Sequence, residues 1–420
     1  MKLVIFEIKK HINGRLLWLV LAILLVINMA LCYYYTSGQP YLDTLHEIKA
    51  VDRAYRKDPD KILGIYEEYK DVYEEYEKAF NVWFVNRTSP HRDEFTDPMP
   101  AEPDIPSTIV EGKNDYIVTA DYFERIIDDE KYKEQLDGDM LAAVRSVYNY
   151  RSNNFDRNSY TYRYQLRYLE VYNKVKNRVT IEEGYDYGWG ILFSYSGTGL
   201  FIFLAAIFMG SRLFTSERDA GMNLLVRVSK RGRARSAALK MIAMLIISLL
   251  LAVIFTLSSM LVIGIRVGFS SPFDSVQQID EMFYCPYDMS MLTCLMASVA
   301  ISALAAFTTA LVAAGFSLIF RRSLGAMMIC AALVGASYYA FLSGTVGDFL
   351  KYINLFTATS AETLFGKWRA IHIGQHPVNQ TLPLTIMLVI IFAAASEAVV
   401  IPWHKYGIGT SPSRKGGNAD

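Results

Sequence analysis

The sequence contains little cysteine and no excess of charge of either sign. Its 420 residues include four cysteines (Cys32, Cys285, Cys294 and Cys330), so the stretch 36–186 contains none. This excludes a disulfide-stapled domain there, and about 150 residues suffice for a hydrophobic core without such bonds. The lack of cystines favours a bacterial surface over an animal one. The 42 Lys and Arg balance 42 Asp and Glu, which excludes a nucleic-acid binder with an overall basic surface.

The charges that balance overall are separated along the chain. Residues 36–186 contain 31 acidic and 21 basic side chains, whereas the rest of the chain contains 11 acidic and 21 basic ones. The two parts therefore carry net charges of −10 and +10. This separation is not typical of a single soluble domain and indicates two different environments.

Charged residues are absent from six long runs. These runs are 16–42, 187–211, 241–265, 289–320, 323–347 and 370–396. An α-helix rises ~1.5 Å per residue and needs roughly 20 apolar residues to cross the hydrocarbon of a bilayer. A buried core helix explains one such run but not six, so we predict an all-α, multi-pass membrane protein with six transmembrane helices. The predicted spans are about 16–35, 190–211, 241–265, 291–320, 323–343 and 383–402.

Basic residues in short loops indicate which side of the membrane is cytoplasmic. The segments predicted to be inside are 1–15, 212–240, 321–322 and the stretch after Trp403. They contain 17 basic and four acidic residues, whereas the short loops near 266–288 and 344–381 contain four basic and six acidic ones. We therefore predict a cell-membrane protein with both termini in the cytoplasm, a cytoplasmic tail over 406–420, and residues 36–186 outside the cell.

The stretch 36–186 is predicted to form a mainly helical extracellular domain. Apolar residues recur there at alternating intervals of four and three, the heptad pattern of packed helices. These residues are Ile62, Tyr66, Tyr69, Tyr73, Tyr76, Phe80 and Trp83. A proline-rich loop follows over 89–108, and a second helical region is predicted over roughly 115–183. The aromatic residues indicate either a surface that captures a ligand or tyrosines that pack helix seams, and we favour the packing.

The segment 212–240 contains a candidate amphipathic helix. Its apolar residues share one helical face, with most charged residues elsewhere; they are Phe214, Gly221, Leu224, Leu225 and Val228. A helix joined to a span at each end is suited to lie along the inner membrane surface and transmit a push. An ordinary positively charged loop with incidental periodicity explains the pattern equally well, so the residues alone leave both interpretations open.

The same segment resembles the coupling region of type-2 ATP-binding-cassette (ABC) exporter permeases. In that family a Glu, a Gly four residues later, a Leu pair, an Arg and a Lys that opens the next span lie between the second and third spans. The residues that carry the resemblance here are Phe214, Glu217, Gly221, Leu224, Leu225, Arg231, Arg233 and Lys240. Many members have a Pro-x-Ser-Arg turn where this chain has the stretch 229–233. That departure resembles a subgroup associated with peptide and antibiotic efflux.

Other parts of the chain agree with the resemblance. Residues 1–15 resemble the interfacial elbow helix that precedes the first span, and 321–322 form the short link between the fourth and fifth spans. The stretch 347–381 is a candidate for the short exoplasmic helices of that family. The resemblance covers residues 1–35 and 187–405. The outer stretch 36–186 is an insertion with no recognised relative.

The resemblance implies a permease subunit that moves an amphipathic peptide, antibiotic or lipid-like molecule. The chain lacks a G-x-x-x-x-G-K-[ST] phosphate-binding loop, so we expect no cofactor on it and ATP-Mg on a separate cytoplasmic ABC ATPase subunit. A second permease copy, forming a homodimer, is also implied. Glu217 and Gly221 would orient the docking helix, while Arg231, Arg233 and Lys240 would face the ATPase or lipid phosphates. Attraction to anionic membrane lipids explains the basic residues as well.

Two further sets of residues are candidates for chemistry. Glu397 is an ionisable residue within the last predicted span, where a carboxylate is costly unless it is paired or reaches the interface; reaching the interface or pairing is favoured over a proton or substrate role. His372 and His376 are four apart, as zinc ligands on a helix would be, but the Glu of a His-Glu-x-x-His site is missing. A metal site is therefore not expected.

A second function is compatible with the sequence. The chain would then be a non-transporting membrane sensor that binds an external ligand or protein through residues 36–186 and reports to the inside through 212–240. No nucleic-acid partner is expected in either case.

Overall fold

The computed structural model describes the following stretches, together with isolated residues between them: 15–38, 187–215, 232–279, 285–320, 323–343, 354–366, 370–373 and 376–379. The helices in these stretches are α1 (Arg15–Ser37), α2 (Tyr187–Ser194), α3 (Gly197–Arg212), α4 (Gly232–Arg266), α5 (Met291–Phe320), α6 (Ser323–Ser343) and α7 (Ala361–Phe365). Two 3₁₀ turns, Val276–Gln278 and Leu355–Thr359, and two strands, β1 (Ala370–Ile373) and β2 (His376–Asn379), complete the described elements.

The prediction of a helical membrane protein is confirmed. In the described residues, four helices are long and apolar enough to cross a membrane, and a fifth span is present if the bent pair α2 and α3 counts as one. Helices suit such runs because every backbone N–H and C=O is paired within the segment, where no water can replace those bonds. The sixth predicted span, 383–402, lies largely outside the described residues.

The bounds of the helices agree with several predictions and extend one of them. α5 and α6 begin and end at the predicted residues, because Arg321 and Arg322 separate two charge-free runs. α4 begins at Gly232, well before the predicted start of the third span at 241. The last part of the segment 212–240 is therefore already helix, and Lys240 lies inside α4 rather than at its start.

The second predicted span is broken near its far end. α2 and α3 meet at Tyr195 and Ser196, and the two helices are bent by 44° relative to each other. The Tyr195 N–H donates to the Ile191 carbonyl at 3.0 Å, whereas Ser196 begins α3 without a side-chain cap. The prediction over 190–211 covers this region but not its break.

α5 packs against α3, α4 and α6 in the centre of the described bundle. Its buried face is rich in alanine: Ala303, Ala305, Ala306, Ala310, Ala313 and Ala314 are all buried. Small residues let helix backbones approach closely, and close packing drives association where no water is present. At Gly210 of α3 the approach is so close that an added side-chain carbon would overlap the carbonyl oxygen of Ala310.

α1 and α6 lie at the edge of the described bundle. Each buries only a few residues, such as Asn28 and Cys32 in α1, while large apolar side chains such as Trp18, Val26 and Leu333 are exposed. Apolar exposure of this kind fits a surface in contact with lipid tails, which are as apolar as the side chains themselves.

The bundle has two ends, which are defined by where its helices begin and end. The coupling end is where α3 ends and α4 begins, on either side of the segment 212–240. The far end is where α1 and α4 end and where α2 and α5 begin. The turn Leu355–Thr359 and α7 lie at the far end, in the stretch 347–381 where short helices were expected.

The far end is held together by aromatic and hydrogen-bond contacts between its loops. Trp189 Nε1 donates to the Ser270 carbonyl at 3.3 Å, and the Trp189 ring centroid lies 4.8 Å from that of Phe269. Tyr287 packs edge-on against Phe365 of α7, with 5.8 Å between ring centroids. The loop after α4 and the short helices before β1 are thus joined to each other and to α2.

Strands β1 and β2 form an antiparallel hairpin that the helical prediction omitted. His372 pairs with Pro377, and Ile373 pairs with His376. The two histidines therefore do not share one helical face, and the spacing that a helical zinc site needs is lost. Among the described residues no group of three or more His, Cys, Asp or Glu could hold a metal ion.

The structure describes part of the heptad seam that was predicted from Ile62 to Trp83. Tyr76, Phe80 and Trp83 are helical, and consecutive ring centroids lie 6.1 and 5.8 Å apart. These contacts fit tyrosines and other aromatics packing along a helix seam. Most of the predicted domain 36–186, the elbow segment 1–15 and the tail 406–420 lie outside the described residues.

The close approach of α3 and α5 gives a stability prediction. Gly210→Ala should lower the melting temperature of the purified protein in detergent, because overpacking of a tight contact costs about 1–3 kcal/mol. Gly325→Ala on α6 is the matched control, since nothing lies within 4 Å of the added carbon; its melting temperature should be unchanged or slightly raised. Equal behaviour of the two variants in a thermal unfolding measurement would contradict the close contact.

Candidate coupling site

The residues predicted to couple the chain to an ATPase divide into those that the structure describes and those that it does not. Phe214 and Lys240 are described with their side chains, and Arg233 is described only as part of the backbone of α4. The remaining predicted coupling residues lie outside the described residues; they are Glu217, Gly221, Leu224, Leu225 and Arg231. The structure therefore describes the candidate site only at the two ends of the segment 212–240, around Phe214 and around Lys240.

At the first end, the chain leaves α3 in a buried turn. The Leu213 N–H donates to the Gly210 carbonyl at 3.0 Å, and Thr215 Oγ1 donates to the Ser211 carbonyl at 3.1 Å. Leu213, Phe214 and Thr215 are all buried. The segment therefore begins as a packed continuation of α3 and not as a loose loop.

At the second end, Lys240 lies fully buried in the first part of α4. Its Nζ lies over the ring of Phe214, 4.7 Å from the ring centroid. The negative face of an aromatic ring attracts a cation, and this attraction is larger where water is excluded. Phe214 and Lys240 therefore form a cation–π contact, called here the Phe214–Lys240 clasp, between the turn that follows α3 and the first part of α4.

The Phe214–Lys240 clasp constrains how the segment 212–240 can act. A displacement of the segment cannot pull α3 and α4 apart at this end without losing the contact between two buried side chains. Burial of a charged side chain is costly unless it is compensated, so the clasp and the surrounding packing favour one arrangement. The geometry suits transmission of a push to both helices together.

A polar cluster joins α1, α3 and α4 in the interior of the bundle. Asn28 Nδ2 donates to Ser258 Oγ and Ser259 Oγ, both at 3.0 Å. Thr198 Oγ1 and Ser259 Oγ are 2.9 Å apart, and Tyr195 OH donates to the Asn28 carbonyl at 3.5 Å. These five residues are called the Asn28 node. Polar side chains that bond across helices add specificity to packing inside a membrane.

A small cavity lies beside the Asn28 node at the break between α2 and α3. Its volume is about 30 Å³, which is enough to hold a water molecule. Tyr195 and Thr198 of the node line it, as do Ser298, Ser302 and Thr359. The lining thus combines hydroxyl groups from the broken span, from α5 and from the turn at the far end.

The turn Leu355–Thr359 inserts into the bundle next to this cavity. Phe356 is fully buried, with its ring centroid 5.1 Å from Phe203 of α3 and 4.8 Å from Tyr338 of α6. Ser302 Oγ of α5 donates to the Ala358 carbonyl at 3.3 Å. The far-end turn therefore contacts three helices, and its Thr359 lines the cavity.

A cation also holds α1 to α4 at the far end. Arg266 Nη1 donates to the Tyr33 carbonyl at 3.0 Å, to Thr36 Oγ1 at 3.2 Å, and to Ser37 Oγ. Its guanidinium lies 4.2 Å from the Tyr33 ring centroid. The last carbonyls of a helix lack partners within it and carry a partial negative charge, so a cation there is favourable. α1 is thus fixed to α4 where the chain enters the stretch 36–186.

Sequence reasoning did not single out the residues of the Asn28 node or Arg266. A signal was present, because Asn28 is an amide within the first charge-free run, and polar residues inside a span are expensive. Glu397, which was singled out, is helical and exposed. No contact with the node is described for it.

Comparison with known families adds to this geometry. A model of the family described as ABC-2 family transporter protein matches residues 1–400. The chain belongs to the ABC-2 transporter family. A search of curated proteins and a search of solved structures each find no match.

Membership of the ABC-2 family makes the chain the membrane component of an ABC transporter. The apolar helices agree with this, since four or five of them in the described residues can cross a bilayer. The resemblance noted in the segment 212–240 is thus confirmed at the level of the family, and the Phe214–Lys240 clasp lies in the region that carried it.

The Phe214–Lys240 clasp can be measured by a double-mutant cycle. Phe214→Leu, Lys240→Met and the double variant should show a coupling energy of about 1–2 kcal/mol in thermal unfolding, because the pair is buried. The control pair is Phe208 and Arg212, whose guanidinium lies 5.6 Å from the ring centroid and whose side chain is exposed.

The same substitutions at the control pair, Phe208→Leu with Arg212→Met, should couple by about half as much. Additive effects of Phe214→Leu and Lys240→Met would contradict the clasp.

Proposed function

We propose that the chain is the permease subunit of an ATP-driven exporter, moved by a separate ABC ATPase subunit that binds ATP-Mg. The single observation that carries this proposal is the match of the ABC-2 family model over residues 1–400. The Phe214–Lys240 clasp supports it, because the contact joins the two ends of the segment 212–240. The cargo is an amphipathic molecule: a peptide, an antibiotic or a lipid-like compound.

In this mechanism the coupling end faces the cytoplasm. The excess of basic residues in 212–240 and 321–322 supports that orientation, with both termini on the same side. The ATPase docks on the helix expected over 212–231, where Glu217 and Gly221 set its orientation. Arg231 and Arg233 contact the ATPase or lipid phosphates.

Nucleotide-driven closure of the ATPase then displaces the docking helix. Because the Phe214–Lys240 clasp ties the end of α3 to the start of α4, both helices follow the displacement as one body. α3 in turn packs against α5 through small residues, so the motion reaches the centre of the bundle. A path for cargo opens between this permease and a second copy in a homodimer.

The stretch 36–186 has a separate place in the proposal. It lies outside the cell and contacts cargo or an external protein, and Arg266 fixes its point of entry by holding the end of α1 to α4. A motion of α4 is therefore passed to the base of this stretch. The link gives an external ligand a direct mechanical route to the helices that the ATPase moves.

The proposal predicts a stable partner and a coupling residue. Purification of the full-length chain in mild detergent should recover a nucleotide-hydrolysing cassette subunit. Glu217→Ala should reduce cargo-stimulated ATP hydrolysis by the complex several-fold without lowering the amount of permease in the membrane, because it removes a docking contact and no transmembrane residue.

Asp219→Ala is the matched control, since it removes the same charge two residues away and off the resembling motif. Stimulated hydrolysis should stay near the wild-type rate in that variant. If Glu217→Ala couples normally, Glu217 has no part in docking. If no nucleotide-hydrolysing subunit associates and the chain transports alone, the proposed function is wrong.

A further inference from the structure

Asn28 carries a buried acceptor, Oδ1, that has no donor in the part of the chain that the structure describes. Its side chain is fully buried, and in the described part of the chain no donor reaches Oδ1. Its other side-chain atom, Nδ2, is fully engaged with Ser258 and Ser259. Buried polar atoms in folded proteins are paired with protein or with a bound molecule in the great majority of cases.

Exchange of the amide oxygen and nitrogen does not explain the unused acceptor. Ser258 Oγ already donates its one hydrogen to the Phe255 carbonyl at 2.7 Å. Ser259 Oγ has two possible acceptors for its single hydrogen: the same Phe255 carbonyl at 3.3 Å and Thr198 Oγ1 at 2.9 Å. Both serine oxygens can therefore accept from Asn28 Nδ2. Exchange of the two amide atoms would place Nδ2 where Oδ1 now lies, so a buried amide atom without a partner would remain on that side.

The surroundings of Oδ1 favour a neutral or cationic hydrogen-bond donor. The Asn28 node contains amide and hydroxyl groups and no acidic or basic side chain. Its oxygens present lone pairs, which repel anions and attract donors. Tyr195 and Thr198 belong both to the node and to the wall of the cavity at the helix break, so a space large enough for a water molecule lies next to the node, although Asn28 itself does not line it.

We propose that the Asn28 node binds one small hydrogen-bond donor at Asn28 Oδ1. The donor is either a resident water molecule or the ammonium group of an amphiphilic cargo, and the second source rests on the proposed function. The site ties α1, α3 and α4 together through one ligand. Two of these helices are the ones joined by the Phe214–Lys240 clasp, so occupancy and coupling act on the same helices.

The first arm of the test asks whether a donor is bound. The full-length chain is placed in lipid nanodiscs and bound to an antibody fragment, which serves as a fiducial for particle alignment. A cryo-electron-microscopy map of this sample should show non-protein density at about 3 Å from Asn28 Oδ1. Asn28→Leu should remove that density. Ser258→Ala keeps Asn28 Oδ1 and the second Nδ2 partner, Ser259, so it should retain the density. Asn28→Met takes the place of Asn28→Leu if the leucine variant does not fold.

The second arm identifies the source with two matched probes. Dodecylammonium has N–H donors, whereas dodecyltrimethylammonium has the same tail and charge without one. The donor belongs to the cargo if dodecylammonium raises the melting temperature more than dodecyltrimethylammonium does. This difference should appear in the wild type and in Ser258→Ala, and it should be lost in Asn28→Leu. Equal effects of the two probes, with density present, assign it to water.

A map in which Oδ1 contacts only protein groups would overturn the proposal. This outcome is independent of the ATPase, because the nanodisc sample needs no partner subunit. The proposed function can also fail alone. If density is present at Oδ1 but the chain recruits no ATPase, the donor site stands and the exporter function is wrong.

Discussion

The cation–π contact between Phe214 and Lys240 is the constraint on which the functional account depends. It joins residues from two helices whose connecting segment carries the family resemblance, and it does so between two fully buried side chains. In the proposed mechanism, this contact lets a force applied to the segment 212–240 reach α3 and α4 together.

The interior of the bundle shows how polar groups serve a membrane protein. Small residues let α3 and α5 approach closely, as at Gly210 and Ala310. Polar contacts join the helices at three places: between Asn28 of α1 and Ser258 of α4, at the break beside Tyr195, and at the end of α1 beside Arg266. Each satisfies groups that lipid cannot satisfy. The bundle is therefore cross-linked at its coupling end, in its interior and at its far end.

The helical class and two of the spans could be predicted because they depend on local composition. Arg321 and Arg322 separate α5 from α6, and the other end of each helix lies within four residues of the end of its charge-free run. The two helices could therefore be placed without any periodic pattern of apolar residues. The start of α4 was placed too late because Arg233 and Arg235 were counted as loop, although arginine is a good helix former. The hairpin at His372 was missed although Pro377 argued against a helix there.

The contacts of the candidate site could not be predicted. Phe214 and Lys240 were both named from the resemblance, but their contact depends on how α3 and α4 pack, which no local pattern specifies. The break near Tyr195 had only a weak signal in the neighbouring glycines at 197 and 199. Asn28 is an amide in an apolar run, a signal that was not used, and its partners come from parts of the chain distant in the sequence.

The central claim is that α3 and α4 move as one body at the coupling end. Spin labels at Arg212→Cys and Ala238→Cys, with Leu16→Cys as a reference on α1, test it in a chain whose native cysteines are replaced by serine. All three positions are exposed. Electron–electron distance measurements on the complex with and without ATP should show an unchanged distance between 212 and 238, while the distances from both to residue 16 change. A nucleotide-dependent change between 212 and 238 as large as those to residue 16 would contradict the account.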